Sequence, residues 1–336
     1  MSSARLIFRQ PLRSMVFASA VMAALAAPLA AQARTAYPEK RGLKLTDFPR
    51  LIKLADNVWG YEEIRSPGFT TVSLIVVGTK GVLIADGQGS AQATQTMLDK
   101  IRNVTTQPIK WYIVGSDHGD HTAGNSVLPS GITYVVSPAS KAQLERDKAS
   151  AEAANERAAA DAKAKGTAAS AMRVVIVPPT AMSSDKETID VGGTTVNVLN
   201  LGRAHTGGDL LVHLPKENIL FMSEVFLNRV FPAMRSAYPS EWVATVDNAL
   251  AMNVKRYVPG HGFIEEPTAS REELMAFRES LKAVIAEVTR LHKMGLSVDD
   301  AIKQADWGQY KEWFLVDQQG PIAVRKVYEE LDGKLK

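Results

Sequence analysis

The chain has no cysteine. That excludes disulfides and leaves stability to a hydrophobic core. It also excludes thiolate metal ligands, so any metal site must be built from His, Asp and Glu. Histidine is scarce as well, with six in 336 residues. Beyond the first 33 residues no apolar run is long enough to span a bilayer. An excess of one charge is missing too. The chain carries 39 Lys+Arg against 36 Asp+Glu, and Arg5, Arg9 and Arg13 at its start account for the difference. The remainder is formally neutral, and nothing in it asks for nucleic acid.

What is present begins with a leader. The three arginines precede "MVFASAVMAALAAPLA", and "AQA" ending at Ala33 is a small-x-small cleavage pattern. Residues 1–33 read as a signal peptide, with the protein expected in the periplasm or outside the cell and free of the membrane once processed. Residues 34–50 are polar, with Pro38 and Pro49, and read as a leading arm.

From Val58 the chain is strand-rich. "TTVSLIVV" and "GVLIADG" meet at "GTKG", a hairpin signal; "TQTMLDKIRN" has helical spacing, and "IKWYIVG" is a further buried strand. Residues 139–170 are Ala- and charge-rich with few large apolar side chains, and read as an exposed helical insertion. Strands resume at "VVIVP", "TTVNVLNLG", "DLLVHLP" and "NILFMSE", and "SEWVATVDNALAMN" reads as a helix. The strand-rich region closes with "RYVPGHG". A helical extension over 266–336 follows, with a capping-box pattern at Ser270 and Glu273 and apolar Leu274, Phe277, Leu281, Val284 and Val288 at helical spacing. Ser297 resembles a second cap, and Pro321 suits the opening of a last helix. Strands followed by helix and strand indicate a layered α/β domain.

Four of the six histidines, His118, His121, His205 and His261, lie in turns directly after expected strands: "SDHGDH", "GRAHTGG" and "PGHG". Turns at strand ends hold imidazoles in fixed directions, and glycine lets the backbone come close to a ligand. One such histidine is ordinarily structural; four point to a metal centre with an open position for water. His213, inside "LLVHL", and His292, on the tail helix, read as structural.

These motifs resemble the metallo-β-lactamase superfamily over 51–265. Its opening aspartate is matched by Asp86 in "LIADG", and its H-x-H-x-D-H signature by "SDHGDH" at all but the first position. The later ligands are matched by His205 in "AHTGGD", Glu224 in "MSEVF" and His261 in "VPGHG". The resemblance implies an αββα sandwich with metals at one edge. It assigns His118 and His205 to one zinc, Asp120, His121 and His261 to a second, and Glu224 near or between them. Asp86 would orient a ligand or its loop.

Two departures stand out. Ser116 takes the place of the first histidine, and a hydroxyl is a far weaker zinc ligand; Asp117 beside it is a poor substitute. Glu224 is one methylene longer than the usual aspartate. One tight zinc is therefore expected, on Asp120, His121 and His261, with a weaker second site possible.

The implied activity is hydrolysis of a small ester, thioester, lactone or β-lactam by metal-bound hydroxide, with Asp120 orienting the nucleophile or taking its proton. β-Lactamases, glyoxalase II-type hydrolases and periplasmic relatives of quinoprotein systems fit equally. Phe69, in "EEIRSPGFT", is positioned to cover substrate, and Arg229 and Arg235, after Glu224, are candidates to pair with a substrate carboxylate. A mononuclear-iron oxidoreductase and a binding protein that has lost catalysis remain open. The partner is a small molecule; oligomeric state is not legible.

Overall fold

The computed structural model describes Met1 and residues 33–165, 167–168 and 172–335. The leader expected over 1–33 lies outside them except for its two end residues. Residues Ala33–Lys336 form one compact unit.

Two sheets face each other. The first has six strands in sequence order: β1 (Arg50–Ala55), β2 (Val58–Arg65), β3 (Phe69–Gly78), β4 (Gly81–Ala85), β5 (Ile109–Ile113) and β6 (Thr133–Val135). β1 to β4 pair antiparallel, β4 to β6 parallel. The second sheet holds β7 (Lys186–Asp190), β8 (Thr195–Leu199), β9 (Leu211–Leu214), β10 (Ile219–Phe221) and β11 (Arg256–Val258), in spatial order β11-β10-β9-β8-β7. β10 and β11 run parallel.

The two-residue period of a strand explains the continuous apolar runs. Leu74, Val76, Leu83 and Ala85 face Val196, Val198, Val212 and Phe221 across the inter-sheet core. Their neighbours Ile75, Val82 and Ile84 face the other way, onto Met97, Leu98 and Ile101 of helix α1 (Ala91–Arg102). Both faces are buried, so apolar residues appear at every position rather than alternating.

The outer face of the second sheet is covered in the same way. After the single-turn helix α2 (Gly119–Thr122) and α3 (Pro138–Lys165) come α4 (Pro239–Ala251), α5 (Pro267–Lys293), α6 (Val298–Gln304) and α7 (Val316–Leu331). Leu274, Phe277, Leu281 and Val284 of α5 and Val324 of α7 share one core with Leu220, Tyr257 and Trp242. The helical extension is thus the fourth layer of an αββα sandwich. No described helix is long and apolar enough to cross a membrane.

Several local expectations are corrected. Ser270 does not cap α5: the helix starts at Pro267, and the buried Ser270 hydroxyl donates to Pro267 O while accepting from Tyr257 N. Glu273 is instead paired with Arg229. Pro321 lies inside α7 rather than opening it. "VVIVP" forms no strand; Val175 and Val177 pack as single side chains beside β6, and the prolines that follow have no N–H to extend a ladder. Ser297 does cap α6, accepting from Asp300 N at 3.1 Å.

The insertion is not a solvated excursion at its start. Ser137 and Ser140 hydroxyls both donate to Gly208 O, at 2.7 and 3.1 Å, and Leu144 is buried. This docks the first turns of α3 on the loop that carries His205. The leading arm is also anchored, with Ala36 buried, the Tyr37 ring 4.6 Å from Phe314, and Arg34 paired with Glu272 at 2.5 Å.

Candidate metal centre

β4, β5, β10 and β11 end at one edge of the sandwich, the edge where open α/β sheets hold ligands. Asp86, after β4, ties these ends together. It adopts left-handed backbone (φ 61) and is fully buried. Its Oδ1 accepts from Gly115 N at 2.7 Å and Ser116 N at 3.3 Å. Its Oδ2 accepts from the Ser223 hydroxyl and lies 3.1 Å from His121 Nδ1. The crowding is such that a Cβ on Gly260 would stand 2.4 Å from the Ser223 carbonyl carbon, so glycine is required before His261.

Among the described residues two groups of potential ligands result, and Glu224 belongs to both. One is His118, His205 and Glu224; the other is Asp120, His121, Glu224 and His261, with the ligand atoms of each within 4.8 Å of one another. Glu224 sits on a 3-10 turn, Ser223–Val225, after β10 and is buried. Its Oε2 is 3.0 Å from His118 Nδ1, and its Oε1 is 3.1 Å from both His205 Nε2 and His261 Nε2. His261 Nε2 is also 3.1 Å from Asp120 Oδ2 and 3.2 Å from His121 Nε2.

The donor set fits a divalent cation. His261 Nδ1 must carry a proton, because it donates to Thr70 O at 2.8 Å, so its Nε2 turns a lone pair inward. On its outer side His121 Nδ1 stands 3.1 Å from Asp86 Oδ2, an ion contact without hydrogen-bond alignment. His118 Nδ1 and His205 Nε2 face each other at 3.1 Å. Buried nitrogens and carboxylates that converge at such distances are stable together only with protons or metal between them.

The electrostatics of the protein alone say the same. Burial works to lower the His118 and His121 pKa values, but Glu224 beside the first, and Asp86 and Glu224 beside the second, raise them to about 9 and about 10. Burial works to raise Asp120, as does Glu224; His121 and His261 override both and hold its carboxyl below the usual range. Glu224 is held well below its ordinary value against burial by His205, His118 and His121.

The other expected site residues separate by their contacts. Ser116 is fully buried, and its hydroxyl donates to Glu224 Oε2 at 2.5 Å. Asp117 is outside both ligand groups, and burial raises its carboxyl. Phe69 is a buried wall rather than an open flap, its ring 5.0 Å from His261 and 5.3 Å from Phe314. Arg229 is corrected: its guanidinium binds both oxygens of buried Glu273 and lies 5.4 Å from the Trp313 ring centre, so it is a structural pair and not a substrate group. Arg235 is exposed and lines a cavity of about 400 Å3 with His118, Asp120, Gln143, Asp147 and Tyr238.

Sequence reasoning missed Arg65, whose Nη1 donates to Asp120 Oδ2 at 2.7 Å from the end of β2. It is the one basic residue in the hairpin stretch "EEIRSPGFT", a signal that was available. Ser236, whose hydroxyl is 3.2 Å from His118 Nε2, was missed as well. So was Asp209, which accepts from Thr206 N at 2.7 Å and Thr206 Oγ1 at 2.8 Å and fixes the loop after His205. Burial raises the Asp209 carboxyl to about 6.

No protein-family model matches the chain. Among solved structures it is similar to a metallo-beta-lactamase from Pontibacter korlensis, with 18% identity over 68% of this chain and 98% of that one and a TM-score of 0.54. It is similar to the DIM-1 metallo-beta-lactamase, with 19% identity over 69% of this chain and 97% of that one and a TM-score of 0.51. It is also similar to the stereoselective inverting sec-alkylsulfatase Pisa1 from Pseudomonas sp., with 14% identity, a TM-score of 0.61 and 83% of this chain covered. The chain spans 50% of the length of that alkylsulfatase. The fold is therefore that of the metallo-β-lactamases, as the motifs implied.

Proposed function

On this metallo-β-lactamase fold, we propose a zinc-dependent hydrolase in which water attacks the carbonyl of a small ester, thioester, lactone or β-lactam and the acyl C–O, C–S or C–N bond breaks. One observation carries the reading: two groups of ligand side chains meet on Glu224 at the sheet edge, beside a cavity of about 400 Å3. His118, His205 and Glu224 would hold one ion and Asp120, His121, His261 and Glu224 another. When bound, such ions supply Lewis acidity and lower the pKa of water toward about 7.

The protein's own groups do the rest. Asp120 has its Oδ2 between His261 and Arg65, which fixes the carboxylate as an acceptor for the proton of an attacking water. Phe69, Leu227, Val230 and Leu315 wall a smaller chamber of about 100 Å3 over His205, Glu224 and His261 and exclude water from the apolar side of the substrate. Arg235 borders both spaces and suits an anionic group on the substrate. Export to the periplasm or beyond belongs to the same proposal and is tested by N-terminal sequencing of the protein from the exported fraction.

Hydrolysis of a panel of lactones, thioesters and β-lactams tests the activity, measured before chelation, after it, and after zinc return. The likeness to an alkylsulfatase adds a secondary alkyl sulfate to that panel. Chelator-sensitive, zinc-restored cleavage of a carbonyl substrate is expected. Cleavage of the sulfate alone would replace the substrate class, and oxygen consumption with bound iron would replace the reaction.

A further inference from the structure

Ser116 stands where the resemblance expects a third imidazole, and its chemistry is settled by two hydrogen bonds. The hydroxyl oxygen accepts from His118 N at 3.3 Å. Its single proton goes to Glu224 Oε2 at 2.5 Å. A hydroxyl committed in this way serves the carboxylate as a donor, and its neutral oxygen, already accepting one hydrogen bond, is a poor metal ligand beside imidazoles and carboxylates.

The acceptor is the other residue that departs from the family pattern. Glu224 has two oxygens with different tasks. Oε2, the one Ser116 holds, is 3.0 Å from His118 Nδ1. Oε1 is 3.1 Å from His205 and from His261, which belong to different ligand groups. The carboxylate therefore spans the gap between the two groups. Free rotation about the last torsion of a glutamate is broad, so a fixed bridging orientation needs a donor on one oxygen. Ser116 is buried and held at its own N–H by Asp86 at 3.3 Å, which makes it such a donor.

We propose that Ser116 is a positioning residue for Glu224. The serine and the longer carboxylate act as a pair, and the first metal site is completed by a shared carboxylate instead of a third histidine. This rests on the metal-dependent reading above. It gives two ions per chain of unequal affinity, with Ser116 controlling the ion on His118 and His205.

The test is titration of the chelator-treated protein with Co(II), read by calorimetry and by visible absorption, on the wild type, Ser116→Ala and Ser116→Thr. Two ions are expected in the wild type. Ser116→Ala should keep the ion on Asp120, His121 and His261 and bind the other about 10- to 100-fold more weakly, the usual loss when a ligand's hydrogen-bond partner is removed. Ser116→Thr, which keeps a hydroxyl, should restore most of it. Thermal unfolding of each metal-free variant checks that the protein is folded. Unchanged affinities in Ser116→Ala, or one ion in the wild type, would overturn the pairing and leave the metal-dependent reading standing. No ion in folded wild type would overturn both.

Discussion

Arg65 Nη1 donates to Asp120 Oδ2 at 2.7 Å, joining the tip of the β2–β3 hairpin to a carboxylate of the candidate metal centre. The guanidinium also lies 5.2 Å from the centre of the Phe69 ring, and that ring packs on His261. One cation thus links the hairpin to both walls of the site. The pair is partly exposed, so Arg65→Ala should cost roughly 1 kcal/mol or less of global stability. Its effect should be local: faster amide exchange at Ser66 and Gly68 and about a tenfold drop in kcat/KM. Exchange at wild-type rates would show that the hairpin is held by its ladder alone.

Arg229 and Arg235, six residues apart, should behave oppositely. Arg229→Ala leaves buried Glu273, whose side chain is 1% exposed, with the half-exposed Arg34 at 3.4 Å in place of its two-bond partner, and should destabilise the fold by about 3 kcal/mol. Arg235→Ala should leave stability within about 0.5 kcal/mol and raise KM for anionic substrates while sparing neutral ones. Urea unfolding and steady-state kinetics on both variants separate the roles.

Asp86 Oδ2 stands 3.1 Å behind His121 Nδ1, and Oδ1 accepts from Gly115 N and Ser116 N. Asp86→Asn should lower metal affinity about 10- to 100-fold. A competition titration against a chromophoric chelator measures this, and an unchanged constant would mean that His121 is oriented by packing alone.

The pH dependence has a definite sign. In the metal-free protein His118 and His121 hold protons to about 9 and about 10. Raised values mean that their pairing with Glu224 and Asp86 contributes stability in full below the ordinary histidine value of about 6.5 and loses it as pH rises through 9 to 10. Metal must displace these protons, so affinity should climb between about pH 6 and 9, by up to about tenfold per unit for each proton released. Calorimetry in buffers of different ionisation enthalpy counts those protons; a count of zero would contradict the assignment.

Much of this was legible because it is local. "TTVSLIVV" and "GVLIADG" became β3 and β4, and Leu274, Phe277, Leu281, Val284 and Val288 form the buried stripe of α5. The candidate ligand histidines could be picked out because each follows a strand at the same sheet edge. What escaped depends on distance along the chain. Arg65 meets Asp120 across 55 positions and Ser116 meets Glu224 across 108, and periodicity carries no trace of either. Arg229 was misread because its partner Glu273 lies on a helix whose docking no local pattern shows. Ser270 was misread because Pro267, three residues earlier, is itself a strong helix opener.

The most direct measurement is elemental analysis of the purified, folded protein. Zinc near two equivalents per chain, or one that rises to two on titration, is the expected result, with hydrolytic activity lost on chelation and regained with the ion. A folded protein that takes up no divalent metal, and whose activity is indifferent to chelator, would contradict a centre built on Glu224.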